Sequence, residues 1–542
     1  MTAVMARPKA LTPAVVTRPS VALRHAVPRW PWKMAFAAFV LYTVLAVWLL
    51  KVQGYIINDA ASRTLTAQTV VLSRDPHLAA MGFYWPPLPM FARIPFVLLL
   101  FPFGQSMVAG AVSTAFISAL VIPVLAAIGR ELNLTTAKSA LLIGLYAMNP
   151  VVIFYAANGM SEACSYLFLA VTYLGYLRYS SSRRTEDLRL VSIGLALGVM
   201  SRIEFIGITI AFVVACALLT RRDRWKRMSF LVALPPLFVF LLWTWASELI
   251  AKDALYWYHA AKTMSVTPAE HPWMPDHLTV VNIVGYVMEM TLINAPGLGI
   301  LLLFGLVRRI NRRNWFGLVL TGFALPAFVA LQLVLRSSVG AQRYFVVSIL
   351  VATVALMWVV STTAQSRPAM HGAIYGLAVL AMVGGAIAVV PLNNDRDQSS
   401  QQGESAFFGP LIGKKSLPNE RYIAGLDLLI RKLDPELAKG EYVAMDSRGG
   451  FGLLYSKHPK QFIVPEDRDF EEIMSDADGR FRYVLMTRSG GLTSQYAGEI
   501  RAAMDNTANG KFVLVDETAT VQLWKYEENS GKVPTEPLRP DR

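Results

Sequence analysis

The chain has 542 residues, 54% of them hydrophobic and only 16% charged; it is too apolar for a soluble domain and too long for one core, which excludes an ordinary soluble enzyme. Lysine and arginine number 51 against 37 acids, a net charge of +14, but 31 basic and 13 acidic residues precede residue 393 while 20 basic and 24 acidic follow from it. The excess therefore belongs to the apolar part, as an orientation signal in membrane loops does, and nucleic acid is excluded as a partner. Cys164 and Cys216 both lie in apolar runs, so neither a disulfide framework nor a cysteine-based zinc site can be built.

In chain order, residues 1–33 carry six basic residues, several prolines and no acid, the composition of a disordered cytoplasmic tail. No cleavable signal is evident, and the first span, Met34 to Leu50, reads as the anchor. Apolar segments then predict about eleven spans, near 34–50, 107–129, 139–157, 162–178, 189–201, 205–220, 228–247, 280–306, 315–335, 343–362 and 370–391. On this map the connections holding Arg130/Lys138, Arg178 to Arg189, Arg221 to Arg227 and Arg308 to Arg313 all face the cytoplasm. Cytoplasmic segments then hold 22 basic and 4 acidic residues, and the outer face before residue 393 holds 9 of each.

Charge settles two segments. Met90 to Phe103 is apolar but short, with Arg93, Pro95 and Pro102, and reads as interfacial or re-entrant, because counting it as a span would invert every later loop. Residues 189–220 read as two short spans turning at Arg202 and Glu204. Two longer outer segments follow from the map, 51–106 and Ser247 to Thr279, the latter with Tyr256-Trp257-Tyr258.

After Val390 a polar linker, Asn393 to Pro418, leads to a helical stretch from Arg421 to Leu433. Short β-type runs come next at 442–445, 461–464, 483–486, 512–515 and 521–524, with a helix from Leu492 to Met504 between two of them. This predicts a small extracytoplasmic α/β domain over 393–542. The expected domains are thus the tail 1–33, the α-helical multi-pass membrane part 34–392 with its first outer loop 51–106, and the α/β domain 393–542.

Candidate chemistry gathers on the outer face. Asp59 lies a few residues beyond the first span; Asn58 or Asp59 can cap the next helix, and Arg63 falls one turn on. A local cap and ion pair is the plain reading. A carboxylate held at the membrane surface is the functional one, since ionisable groups at that depth mark sites. Arg74, His77, Tyr84, Trp85 and the prolines after it form either an aromatic anchoring belt or a groove for an isoprenoid and sugar, with Arg74 or His77 meeting a phosphate. Glu162, the Arg202/Glu204 turn and Arg343-Tyr344 fall at the same level. A single arginine there is explained by snorkelling to headgroups; two carboxylates and two arginines at one level point to a site.

In this order and spacing the chain resembles the GT-C superfamily of glycosyltransferases that use polyprenyl-phosphate sugars, in the branch of protein O-mannosyltransferases and lipid A aminoarabinose transferases. The resemblance rests on Asp59 after the first span, Pro86-Pro87-Leu88 leading into an amphipathic helix, Glu162 before the fourth span, Arg202 ending the fifth, Arg343-Tyr344 opening a late span, and the placement of the soluble tail. Departures are Asp59-Ala60 where the family often pairs two acids, Trp85 where a lysine precedes Pro-Pro-Leu, and Glu162 where Asp is common.

The resemblance implies an inner-membrane enzyme of the cell envelope, with a cytoplasmic N-terminus, that moves a hexosyl or pentosyl group from a polyprenyl-phosphate donor to an extracytoplasmic protein, glycan or lipid. Asp59 is then the base, and Glu162, the second catalytic residue, orients substrate or helps to hold a divalent cation. Arg63, Arg74, Arg202 and Arg343 meet the donor phosphate; His77, Tyr84, Trp85, Glu204 and Tyr344 line the groove. Asp59 and Glu162 are the oxygens a divalent cation would take, if one takes part. Direct displacement implies inversion. The rival reading is a transporter or flippase of a lipid-linked or anionic substrate, but no repeat is visible and the charges lie near one surface rather than at the midplane.

Overall fold

The computed structural model describes residues 28–52, 54–220, 223–265, 279–306, 311–336, 341–364, 368–396, 407–408, 425–446, 451–487, 495–518 and 521–528. The expected tail 1–33, save its last six residues, most of the linker Asn393 to Pro418, and the starts of the helices expected at Arg421 and Leu492 lie outside them.

The first apolar run forms α1 (Trp30–Val47), continued by the π turn Trp48–Val52. After a turn come α2 (Asn58–Leu72) and two short helices, α3 (Leu88–Phe91) and α4 (Ile94–Leu100), each with proline near its start, where a missing N–H is harmless. α5 (Ser106–Glu131) is the central post: at 1.5 Å per residue it is about 39 Å long, and α1, α2, α4, α7 and α8 pack around it. α2 can approach it because of Gly110, whose missing Cβ would stand 2.2 Å from the Thr64 hydroxyl.

α6 (Thr136–Ala147) and α7 (Pro150–Ala157) are one apolar run bent by 62°. Asn149 caps the second half by accepting the Val151 N–H at 3.0 Å, and Pro150 opens it. α8 (Glu162–Ser182), α9 (Leu188–Val199), α10 (Phe205–Leu219) and α11 (Trp225–Ala251) follow, then the short amphipathic α12 (Tyr256–Ser265). α13 (Val280–Asn294) and α14 (Pro296–Phe304) meet at 99°. α15 (Arg312–Gly322) runs into α16 (Ala324–Val334), and α17 (Val347–Thr362) is buried at every position from Val347 to Val360. α18 (Pro368–Arg396) passes the α13/α14 corner at Gly385, where a Cβ would meet the Pro296 ring at 2.8 Å.

The outward faces are apolar: Phe36 and Val44 on α1, Phe230, Phe238 and Trp245 on α11, Leu380 and Ile387 on α18 are all more than half exposed. Such belts are stable only against lipid, so the chain is an integral, multi-pass membrane protein.

Among the described residues five helices are long and apolar enough to cross a bilayer, and seven if each bent pair is one span. The expected count of eleven goes further than this. Its other members correspond to α8, which is interrupted by polar side chains, and to α9, α10 and α17, of 12, 15 and 16 residues. A 12-residue helix reaches about 18 Å, short of a hydrocarbon core of about 30 Å.

The C-terminal domain is a five-stranded mixed sheet in the order β2-β1-β3-β5-β4, with β1 (Val443–Met445), β2 (Phe462–Ile463), β3 (Tyr483–Thr487), β4 (Gly510–Glu517) and β5 (Val521–Glu528). β1 pairs parallel with β2 and β3, and β5 runs antiparallel to β3 and β4. The central strands are buried on both faces, as parallel strands covered by helices must be. Helix Leu426–Leu437 lays Leu426, Leu429, Ile430, Leu433 and Leu437 on one face, and helices Phe470–Ser475 and Gln495–Asp505 cover the other.

This domain does not hang free. Ala61 and Leu65 of α2, with Met107, belong to the same apolar cluster as the Leu426–Leu437 face, and the Gln68 amide donates to the Leu453 carbonyl at 3.0 Å. At the far end of α2 three ion pairs run in two opposite senses: Arg74 bonds Asp467 and Asp469, while Asp75 accepts from Arg468 at 2.9 Å.

Candidate active site

α2 starts at Asn58 with Ile57 as its N-cap, and no side chain caps it. The sequence allowed Asn58 or Asp59 that task. Asp59 sits instead in the first turn, where the helix dipole favours an anion, and its carboxylate accepts from Arg343 Nη1 at 2.7 Å. Arg63, one turn on, reaches the Asp59 carbonyl at 3.2 Å and the carboxylate at 3.9 Å. Its guanidinium lies over the Trp85 ring at 4.2 Å, and Trp85 meets Tyr84 edge to face. Burial pushes the Asp59 carboxyl up, but the charges of Arg343 and Arg63 and the Arg343 hydrogen bond outweigh it and hold the group below its ordinary range.

Arg343 and Tyr344 form a 3-10 turn just before α17. Guanidinium groups flank the Tyr344 ring, Arg343 at 5.2 Å and Arg202 at 5.4 Å. Arg202, in the turn between α9 and α10, makes a forked pair with Glu204 at 3.1 and 2.8 Å. It also bonds Glu162, in the first turn of α8. Glu162 is fully buried, and its second oxygen has no hydrogen-bond partner among the described residues. The Pro-Pro-Leu segment is tied in as well, the Leu88 N–H donating to the Met200 carbonyl at 2.9 Å.

Helix ends from across the chain thus bring together Asp59, Arg63, Tyr84, Trp85, Glu162, Arg202, Glu204, Arg343 and Tyr344. Between Ser165, Arg202, Glu204, Arg343 and Tyr344 there is a void of about 10 Å³, the volume of one water. A larger cavity, about 970 Å³ and lined by Val213, Leu218, Trp225 and Arg313, lies at the other end of α10 and touches none of these groups.

Two expected members stand elsewhere. Arg74 and His77 lie past the C-terminus of α2, and the helix from Asp59 to its last residue, Leu72, is about 20 Å long. Arg74 is bonded to the C-terminal domain, and the His77 ring donates through Nδ1 to the Asp75 carbonyl at 2.8 Å. Sequence reasoning missed those tail acids, and it used Arg93 only to demote a span. Arg93 is 1% exposed and lies against this cluster. A lone arginine inside an apolar run was the available signal.

Among the described residues no three His, Cys, Asp or Glu side chains come together as a metal cage. Asp59 and Glu162 are each bonded to a guanidinium. A hard divalent cation at the pair would have to displace those guanidinium contacts and take the rest of its oxygens from water and substrate.

No protein-family model and no curated protein matches the chain in sequence. Solved structures match it in fold. ArnT from Cupriavidus metallidurans in the apo state is 12% identical, over 91% of this chain and 97% of that one, with a TM-score of 0.50. The oligosaccharyltransferase AglB from Archaeoglobus fulgidus, in complex with an inhibitory peptide and a dolichol-phosphate, is 13% identical over 93% and 75%, at 0.42. The arabinofuranosyltransferase AftD from Mycobacteria is 14% identical over 93% of this chain and 40% of that one, at 0.43. The fold this chain shares with ArnT agrees with the GT-C resemblance of the sequence.

Proposed function

We propose that this GT-C-fold chain is a membrane glycosyltransferase, moving a hexosyl or pentosyl group from a polyprenyl-phosphate donor to an extracytoplasmic acceptor. The observation that carries the reading is the cluster of three arginines and three carboxylates around Asp59, Glu162 and Tyr344 in that fold. A transport site is expected near the midplane in discontinuous helices. Among the described residues the two sharply bent apolar pairs break at Asn149-Pro150 and Ala295-Pro296, and neither break holds a charged residue.

In the reaction the acceptor O–H loses its proton to the Asp59 carboxylate as its oxygen attacks the anomeric carbon. The anomeric C–O bond to phosphate breaks, and its electron pair leaves with the polyprenyl phosphate. Attack opposite the leaving group inverts the centre. Phosphate needs little protonation to depart, but it needs cations, and Arg202 and Arg343 supply planar forks for its oxygens. Arg343 is bonded to Asp59; when it turns to phosphate, Asp59 loses its strongest partner and becomes a better base. Arg63 and Trp85 hold one wall, Glu204 orients Arg202, and Glu162 offers its unpartnered oxygen to a substrate hydroxyl. Arg74 and His77 serve the domain contact rather than the phosphate in this reading.

The topology behind it is the eleven-span map, with a cytoplasmic tail 1–33, the membrane part 34–392, whose first outer loop is 51–106, and the α/β domain 393–542 outside the inner membrane. The packing of the C-terminal domain on α2 supports putting the two on one side. Cysteine placed at Ser475 should react with a membrane-impermeant maleimide in intact cells; labelling only after lysis inverts the map. For activity, the protein in lipid nanodiscs is given radiolabelled decaprenyl-phosphate-linked hexoses and pentoses. Sugar transfer or release that needs Asp59 supports the reading, and full turnover in Asp59→Asn overturns it.

A further inference from the structure

Arg93 is the one large cation at the cluster that bonds no carboxylate among the described residues. It sits between α3 and α4, 1% exposed, and its donors go to neutral oxygens. Nη1 donates to the Ala60 carbonyl at 2.9 Å and to the Thr64 hydroxyl at 3.3 Å, and Nη2 donates to the Gly159 carbonyl. Ala60 adjoins Asp59, and Gly159 begins the turn that ends in Glu162.

That turn is held from its other side too. The Gly159 N–H donates to the Thr114 hydroxyl at 3.2 Å, the Met160 N–H to the Asn158 side chain at 3.0 Å, and Gly159 has a φ of +80°. A Cβ there would stand 3.2 Å from that of Ala60 and 3.3 Å from the Ala111 nitrogen. Two backbone segments from distant parts of the chain therefore touch, and one guanidinium spans them. Burying a cation on amide carbonyls alone is costly, and an apolar side chain would fill the space without that cost. The planar fork, reaching two carbonyls at a fixed spacing, is what a shorter or rounder cation cannot reproduce.

We infer that Arg93 is a positioning residue that fixes the distance between the Asp59 carboxylate and the Glu162 carboxylate. This rests on the glycosyl-transfer reading above. Displacements of about an ångström between reacting groups cost rates of order a hundredfold, so the effect belongs in turnover rather than in donor binding.

The test uses the full-length protein in nanodiscs, with decaprenyl phosphate as the binding probe and the labelled donors as substrates. Arg93→Lys keeps the charge and loses the fork. It should bind decaprenyl phosphate within twofold of wild type, melt within a few degrees, and turn over at least tenfold more slowly at saturating donor. Arg93→Ala should recover part of its lost turnover when millimolar guanidinium is added, and none with ammonium. Wild-type turnover in Arg93→Lys, or a loss that follows melting or donor binding alone, overturns the positioning role. If the wild-type protein turns over no donor, or Asp59→Asn is fully active, the glycosyl-transfer reading itself fails and this inference with it.

Discussion

Asp59 and Arg343 are 284 residues apart in the chain, and their side chains meet at 2.7 Å. The contact joins the first turn of α2 to the turn that opens α17. In the glycosyl-transfer reading proposed above, the carboxylate is the base and the cation the phosphate ligand, so an anionic donor would draw the two apart.

Asp59→Asn keeps the shape of the side chain and removes the proton acceptor. General base catalysis contributes about 10²–10⁴-fold, so turnover should fall by that order while melting and decaprenyl-phosphate binding stay near wild type. Steady-state rates and a binding titration on the same preparation check this.

In the proposed reading Arg343→Ala removes a charged donor to the phosphate. Such hydrogen bonds contribute about 1.5–3 kcal/mol, so decaprenyl-phosphate affinity should fall about ten- to hundredfold. The substitution also removes a charge that holds the Asp59 carboxyl down. The carboxyl must then rise, so the acid limb of the pH–rate profile moves to higher pH. A profile that stays in place would show that Asp59 does not set that limb.

At the domain contact, burial lifts the Asp467 carboxyl to about 6, with Arg74 pulling the other way, and hydrogen bonds from Arg468 hold Asp75 near 2. A carboxyl raised in the folded state favours folding at low pH. The Asp467 contribution is therefore complete below about 4, the unfolded value, and is lost as pH rises to 6. The Asp75 contribution has the opposite sign, present above about 4 and lost as pH falls toward 2. Melting of wild type minus that of Asp467→Asn, followed from pH 4 to 7, should decrease with pH; a flat difference would contradict the assignment.

Arg74→Ala should loosen the C-terminal domain without touching the Asp59 cluster, which lies at the other end of α2. Limited proteolysis should cut the C-terminal domain faster, and Arg74→Ala should bind decaprenyl phosphate as wild type does. Weakened phosphate binding with unchanged proteolysis would return Arg74 to the donor site.

Gly159→Ala places a Cβ on a residue with φ of +80° and within 3.2 Å of Ala60. Backbone strain of this kind costs about 1–3 kcal/mol. The variant should melt lower and lose turnover, because the turn it strains carries Glu162.

Much of this was legible in the residues themselves. A bilayer imposes apolar helices, so composition alone determined a multi-pass membrane protein, and the predicted apolar runs fall on helices along the chain. The short β-type runs after residue 440 fall on the five strands among the described residues. Counting spans led to the expectation that Asp59, Glu162, Arg202 and Arg343 stand at one level, and the structure brings these four side chains, all at or beside helix ends, into one cluster. The number of full spans did not follow, since 12- to 16-residue helices such as α9 and α17 are apolar yet short. Pairing also did not follow. Which arginine meets which carboxylate depends on lateral packing around α5, about which hydropathy carries no information. So Arg74, adjacent in the sequence to the expected groove, went with Asp467 and Asp469, and Arg93, set aside as a flaw in a span, came to rest between Ala60 and Gly159. Solvent preference acts on each segment separately and can be read from one chain position at a time; a hydrogen bond between segments needs both ends, and only the tertiary structure brings them together.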